Sequence, residues 1–244
     1  MQLELRNVSR RYGAVRALDQ VTLQAGPGLL VAVLGLNGAG KTTLLRCLAG
    51  VVGTDSGELL FDGRPFSRGD LALRRRLFFL PDFPVLFWER SLIYNLSVIA
   101  RLYCRDDADA PERALSLLRE LDLLPLAPSP VGTLSRGQMY KTALAALLLV
   151  DPELWLLDEP LSSGMDPLAL SFFKREALAA AARGRTVIYS TQLLDVAERF
   201  SSRVAVFHEG RLRAWAGIEE LRASAQDPSN PLESLFRKLR ESPA

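Results

Sequence analysis

The chain has 244 residues, 48% of them hydrophobic and 24% charged, which suits a folded globular protein and excludes a disordered, collagen-like or disulfide-stapled one. Thirty Lys and Arg stand against 28 Asp and Glu, so the net charge of +2 gives no field that would draw the surface to nucleic acid or anionic lipid. The two cysteines, Cys47 and Cys104, cannot form a framework, and Cys47 reads as a small buried hydrophobe in an apolar helical stretch. In chain order, the opening MQLELRNVSRRYG lacks a basic-then-apolar leader, so a cytoplasmic location is expected. The alternating LELRNV and VTLQ segments predict half-exposed strands, joined by ELLF at 58–61 in a small antiparallel layer. The uncharged stretch 20–40 is interrupted by Gln24, Pro27, Asn37 and several glycines, which makes it a poor membrane span.

Short apolar runs at 29–34, 77–80, 154–157, 186–190 and 204–207 predict buried strands of a largely parallel sheet. Helical patterns at 42–49, 168–182 and 193–200 fall between them, the alternation of a three-layer α/β domain. From about 83 to 150 the strand signals stop and three segments carry helical spacing, so this region is predicted as a helical insert. From 217 a short tail holds two helical patterns split by DPSNP, too short for a domain of its own.

Three motifs carry chemistry. Gly35-Leu36-Asn37-Gly38-Ala39-Gly40-Lys41-Thr42-Thr43 fits G-x-x-x-x-G-K-[ST] and lies between a predicted strand and a predicted helix. The glycines let backbone N–H groups turn toward a polyphosphate, and the helix start adds positive potential. Lys41 then reaches the terminal phosphates and Thr42 offers a hydroxyl to Mg²⁺. Leu154-Trp-Leu-Leu-Asp158-Glu159-Pro160 is an apolar strand that delivers two acids at its C-terminal end, where open α/β sheets bind ligands. Beside a triphosphate, Asp158 would hold the hydrated Mg²⁺ and Glu159 would orient or deprotonate an attacking water. Leu134-Ser135-Arg136-Gly137-Gln138 opens a helix with the S-x-x-Q spacing of a capping box, and a helix start of this kind also suits an anion.

With these motifs in this order, the chain resembles the ATP-binding subunits of ABC transporters along nearly its whole length. GLNGAGKTT resembles their Walker A motif, LSRGQ their signature, and LWLLDEP their Walker B strand with its following glutamate. Ser163-Gly-Met-Asp166 resembles their D-loop, and Tyr12 stands where the family keeps an aromatic that stacks on adenine, although a tyrosine there also serves as ordinary packing. The resemblance implies an α/β P-loop NTPase core with a small antiparallel layer and a helical insert, the whole of 1–244 forming one nucleotide-binding domain. It implies ATP and Mg²⁺ as cofactors and a head-to-tail dimer in which one subunit's Walker A motif meets the other's signature. Ser135, Gly137, Gln138 and Asp166 would then face a neighbour's nucleotide rather than the one held by Lys41. Separately encoded membrane permeases complete such transporters and hold the ATP-binding subunits to the inner membrane face. The segments YGAVRALDQVTL, GELLFDG and LESLFRKL look most like the ABC-2 exporter group.

Two positions depart from the family. Asp82 stands where a glutamine contacts Mg²⁺; an aspartate can still reach the metal through its oxygen, but its charge beside Asp158 and Glu159 is expected to be costly unless the metal is bound. Gln192 stands where the family has its switch histidine; an amide can donate to the γ-phosphate but carries no titratable proton near neutral pH. The lone histidine, His208, reads as a surface residue. Three readings follow: an ATPase that powers a transporter, a subunit that binds ATP to close the dimer with impaired hydrolysis, or a soluble ABC-type ATPase acting on ribosomes or DNA. Phe83, Leu86, Phe87 and Trp88 follow Asp82 and are read either as a dock for the membrane subunit or as core of the insert.

Overall fold

The computed structural model describes residues 1–104, 107–224, 232, 233 and 235. Strands β1 (Leu3–Tyr12), β2 (Val15–Ala25) and β3 (Leu30–Leu34) precede helix α1 (Lys41–Leu48), followed by β4 (Ser56–Phe61), β5 (Arg64–Pro65), the single turn α2 (Leu71–Arg74) and β6 (Leu77–Leu80). Helices α3 (Leu92–Tyr103), α4 (Ala110–Glu120) and α5 (Arg136–Val150) then run without a strand until β7 (Leu154–Leu157). The chain continues through α6 (Pro167–Ala182), β8 (Thr186–Thr191), α7 (Leu194–Phe200), β9 (Arg203–His208), β10 (Arg211–Gly217) and α8 (Ile218–Ser224).

Two sheets result. One is antiparallel in the order β2-β1-β4-β5, and the other has the order β10-β9-β3-β8-β7-β6, parallel throughout except for β10. Strand alternation divides the parallel sheet's side chains between two cores. Leu30, Ala32 and Leu34 of β3, Trp155 and Leu157 of β7, and Val187 and Tyr189 of β8 face the helices. Their neighbours Val31, Val33, Leu154, Leu156 and Ile188 face α1 and the antiparallel sheet. Both faces are covered, which is why these strands read as continuous apolar runs and not as alternating ones.

Helix α5 is buried along nearly its whole length, from Met139 to Leu149, as a helix apolar on all sides must be. It packs beneath α3 and α4, so the insert is built around it. The Ser91 hydroxyl accepts from the Tyr94 amide to start α3. Asp166, with Pro167 at the first position, starts α6 in the same manner.

The predicted strands of the parallel sheet and the helices around them recur with ends shifted by a residue or two, whereas β1 runs four residues past the predicted LELRNV segment, β2 starts six residues before VTLQ, and α4 ends four residues short of the predicted pattern. Strand β10, which pairs antiparallel with β9 and ends at the start of the predicted tail, was not predicted; RLRAW offers neither a clean alternation nor an apolar run. The turn α2 was missed because four residues are too few to show a period. The first helical pattern of the tail is α8, while DPSNP and most of LESLFRKL lie outside the described residues.

Candidate functional site

The site lies where β3, β6, β7 and β8 end side by side. The chain turns from β3 into α1 through the glycine-rich loop, which needs Gly40: its φ is 107°, and a Cβ there would run into the Ala17 carbonyl oxygen. Lys41 follows, buried, its ammonium donating to the carbonyl oxygens of Gly35 at 2.8 Å and Leu36 at 3.3 Å and lying 3.4 Å from a Glu159 carboxylate oxygen. One residue on, the Thr42 hydroxyl donates to Asp158 Oδ1 at 3.1 Å.

Asp158 and Glu159 leave the end of β7 in different environments. Asp158 is buried and accepts a second hydrogen bond, at 2.7 Å, from the hydroxyl of Ser190 on β8. The same Ser190 oxygen accepts from the Glu159 amide at 2.8 Å, so one hydroxyl fixes both acids. Glu159 has φ 48°, a left-handed conformation uncommon for a side chain of its size, which turns its carboxylate from the strand line toward Lys41. Ser190 escaped sequence reasoning because it sits unmarked inside the apolar run of β8, where only the parallel pairing with β7 shows its neighbours.

These groups line a cavity of about 730 Å³, a size that holds a nucleotide. Of the residues expected from the sequence, Leu36 to Thr43, Asp82, Asp158, Glu159 and Gln192 all lie on its wall. Gly35 is off the wall and contributes the carbonyl that accepts from Lys41. Gln192, just beyond β8, donates its side-chain amide to Asn37 Oδ1 at 3.0 Å and so rests on the phosphate loop. Tyr12 is not on the wall: it is exposed at the β1–β2 turn with the Arg10 guanidinium 5.0 Å over its ring, opposite Val15, which does line the cavity.

Ser135, Gly137, Gln138 and Asp166 also lie off the wall. Ser135 and Gln138 are engaged with each other in a complete capping box, at 3.2 Å from the Gln138 amide to the serine oxygen and 2.9 Å from the Ser135 amide to the glutamine oxygen. Gly137 lies so close to the Gly164 carbonyl that no Cβ would fit, which seats the start of α5 on the 163–166 loop. Asp166 accepts from the Ala169 amide at 2.9 Å and from Lys141 of α5 at 3.2 Å; the helix-start amide, then the lysine, hold its carboxyl below the usual range.

The expected cost of the Asp82 charge is offset within the chain. Arg136, the first residue of α5, donates to Asp82 Oδ1 at 2.5 Å, and it is the one residue of LSRGQ that reaches the cavity wall. With Arg46 also present, Lys41, Arg46 and Arg136 balance Asp82, Asp158 and Glu159 around one space. Nothing in the spacing of residues 82 and 136 announced this pair, since β6 and α5 become neighbours only when the insert folds back.

Oxygen donors from Thr42 and Asp158, already 3.1 Å apart, suit a hard divalent ion that keeps several waters and shares phosphate oxygens. Among the described residues no group of three or more His, Cys, Asp and Glu forms a self-sufficient metal cage. His208 is exposed at the end of β9, and burial raises the Cys47 thiol to about 11, so it stays protonated.

A glycine-rich loop between a buried strand and a helix, with acids at the end of the neighbouring strand, defines a P-loop nucleotide-binding protein. The ABC transporter family model matches residues 18–162, and the chain belongs to that family. It is 34% identical over 90% of its length to Nod factor export ATP-binding protein I of Cupriavidus metallidurans, covering 72% of that protein. It is 28% identical over 97% of its length to the ABC-type transporter ATP-binding protein EcsA of Bacillus subtilis, covering 96% of that protein. A solved structure described as the ATP binding subunit of an ABC transporter superposes with a TM-score of 0.90 at 30% identity, over 98% of this chain and all of the other.

Proposed function

We propose that the chain hydrolyses ATP to power an ABC transporter of the exporter group. ATP occupies the cavity with its phosphates on the 35–43 loop and Lys41, and its adenine extends toward Val15 and Tyr12. Thr42 and Asp158 would hold Mg²⁺, which would supply electrostatic stabilisation of the negative charge on the transferring phosphoryl group. Glu159 accepts a proton from the attacking water as its oxygen bonds to the γ-phosphorus and the bond to the β-phosphate oxygen breaks. Gln192, resting on Asn37, is placed to donate to a γ-phosphate oxygen.

The observation that carries this reading is that Lys41, Asp158 and Glu159 converge on one cavity that Ser135 does not reach. Ser135, Gly137 and Gln138 at the start of α5 are therefore left over by their own chain's cavity, and they close over ATP bound by a second nucleotide-binding subunit, while that subunit's α5 closes over this one. Among the described residues no helix is long and apolar enough to cross a membrane, and separate permease subunits supply the path. Phe83, Val85, Phe87 and Trp88 are exposed beside an apolar recess of about 330 Å³ that includes Phe79 and Ile99, and this face receives the permease. The resemblance to Nod factor export ATP-binding protein I supports export, and pairing with a permease would hold the chain at the inner membrane face.

The test is Mg²⁺-dependent phosphate release by the purified chain, alone and with its permease. Glu159→Gln is expected to lower turnover by about 10² to 10⁴ while ATP still binds. Turnover that survives the substitution removes Glu159 from the reaction.

A further inference from the structure

Two features that sequence reasoning treated separately, the acid at position 82 and the arginine inside LSRGQ, meet in the folded chain. Asp82 is two residues past the end of β6, fixed to the core sheet; Arg136 is the first residue of α5, the central helix of the insert. Their contact joins the two halves of the subunit at the edge of the nucleotide cavity, and both side chains are about half exposed, at 47% and 51%. The α5 cap does not depend on Arg136, since Ser135 and Gln138 complete it alone. A guanidinium here therefore serves the carboxylate, not the helix.

Resting on the function proposed above, we propose that Asp82 and Arg136 form a charge latch in which Arg136 acts as a positioning residue, neutralising Asp82 until a metal–nucleotide complex competes for that carboxylate and frees the arginine. The physical basis is one of signs. With Arg136 in place, Asp82 neither repels the triphosphate nor draws a cation strongly. Without Arg136, a bare carboxylate faces the phosphates beside Asp158 and Glu159, so metal-free ATP is repelled and Mg²⁺ is attracted. Without Asp82, a bare guanidinium faces the phosphates, and metal-free ATP is favoured. A pair that only braced the fold would shift both in the same direction.

The experiment measures ATP affinity by calorimetry on the full chain, in EDTA and in Mg²⁺, for the wild type, Arg136→Gln, Asp82→Asn, the double variant and Arg136→Lys. The ratio of affinity with Mg²⁺ to affinity without it should rise about three- to fivefold in Arg136→Gln, the scale of a half-exposed ion pair. It should fall in Asp82→Asn, and Arg136→Lys should stay near the wild type. In the double variant the ratio should return toward that of the wild type, because the carboxylate and the guanidinium are removed together and neither charge is left bare. Single variants that shift the ratio the same way, or a double variant that keeps the shift of either single variant, overturn the latch. If Arg136→Gln does not fold, a rise or no change in Asp82→Asn overturns it equally. Wild-type affinity that is indifferent to Lys41→Ala would instead overturn the nucleotide site itself, which separates that failure from failure of the latch.

Discussion

The phosphate loop and the start of α5 are both glycine-containing helix N-termini able to bind anions, yet the fold treats them differently. At the loop, Lys41, Thr42 and Gln192 point into the chain's own cavity and are held by partners that ATP can displace: the carbonyls of Gly35 and Leu36, Asp158 and Asn37. At α5, Ser135 and Gln138 satisfy each other, Gly137 is pressed against Gly164, and only Arg136 turns toward that cavity. The contrast separates a cavity that one chain lines from a helix start closed on itself, which under the proposed function finds its ligand on another molecule. Two helix starts of similar composition differ because one sits at the carboxyl end of a parallel sheet and the other on an insert lying against it.

Substitution breaks the comparison most directly. Lys41→Ala should cost the isolated chain roughly tenfold to a hundredfold in ATP affinity, the scale of a lost charged hydrogen bond. Ser135→Ala should leave that affinity unchanged while lowering stability by about 1 kcal/mol through the lost cap. Calorimetry and thermal unfolding separate the two, and a fall in monomer affinity for Ser135→Ala would erase the distinction between the helix starts.

A smaller effect is expected at Gln192, which touches only the loop side of the comparison. Gln192→His should raise turnover several-fold, with the gain growing as pH falls toward the histidine range of about 6.5 and the ring becomes a charged donor. An unchanged or lower rate would show that the amide, seated on Asn37, is the better donor here.

The smallest effect concerns the clamp that joins the two sheets just before β6 and β7, at the ends of these strands away from the site. Arg76 bonds Glu153 at 2.7 Å and Asp62 at 2.6 Å. Glu153 is held low by the Arg76 hydrogen bond; Asp62, although partial burial works against it, is held low by the Gln2 amide and Arg76. Both carboxyls are depressed on folding, so their contribution is present above the range of free carboxylates and is lost as pH falls through the lowered values. Arg76→Met should therefore move the acid-unfolding midpoint to higher pH, and circular dichroism across an acid titration checks it.

Much of the frame was legible because parallel strands buried on both faces leave continuous apolar runs; those predicted at 77–80 and 154–157 are β6 and β7 residue for residue. The loop and the strand-end acids were legible for a related reason, since their chemistry depends on residues adjacent in sequence. Ser190, which fixes Asp158 and Glu159, and the Asp82–Arg136 pair were not, because each arises from a contact between elements far apart in the chain. The exposure of Phe83, Phe87 and Trp88 likewise depends on how the insert packs, so sequence left dock and core equally open.

The central claim is that each working site takes its phosphate loop from one subunit and its α5 start from another. Mixing two inactive proteins, Lys41→Ala and Ser135→Ala, tests it, with ATP turnover of the mixture as the measurement. Half of the randomly formed dimers would carry one intact site, so activity should recover to about a quarter of the wild type. A mixture as inactive as its components would place Lys41 and Ser135 in the same site of a single chain and contradict the account.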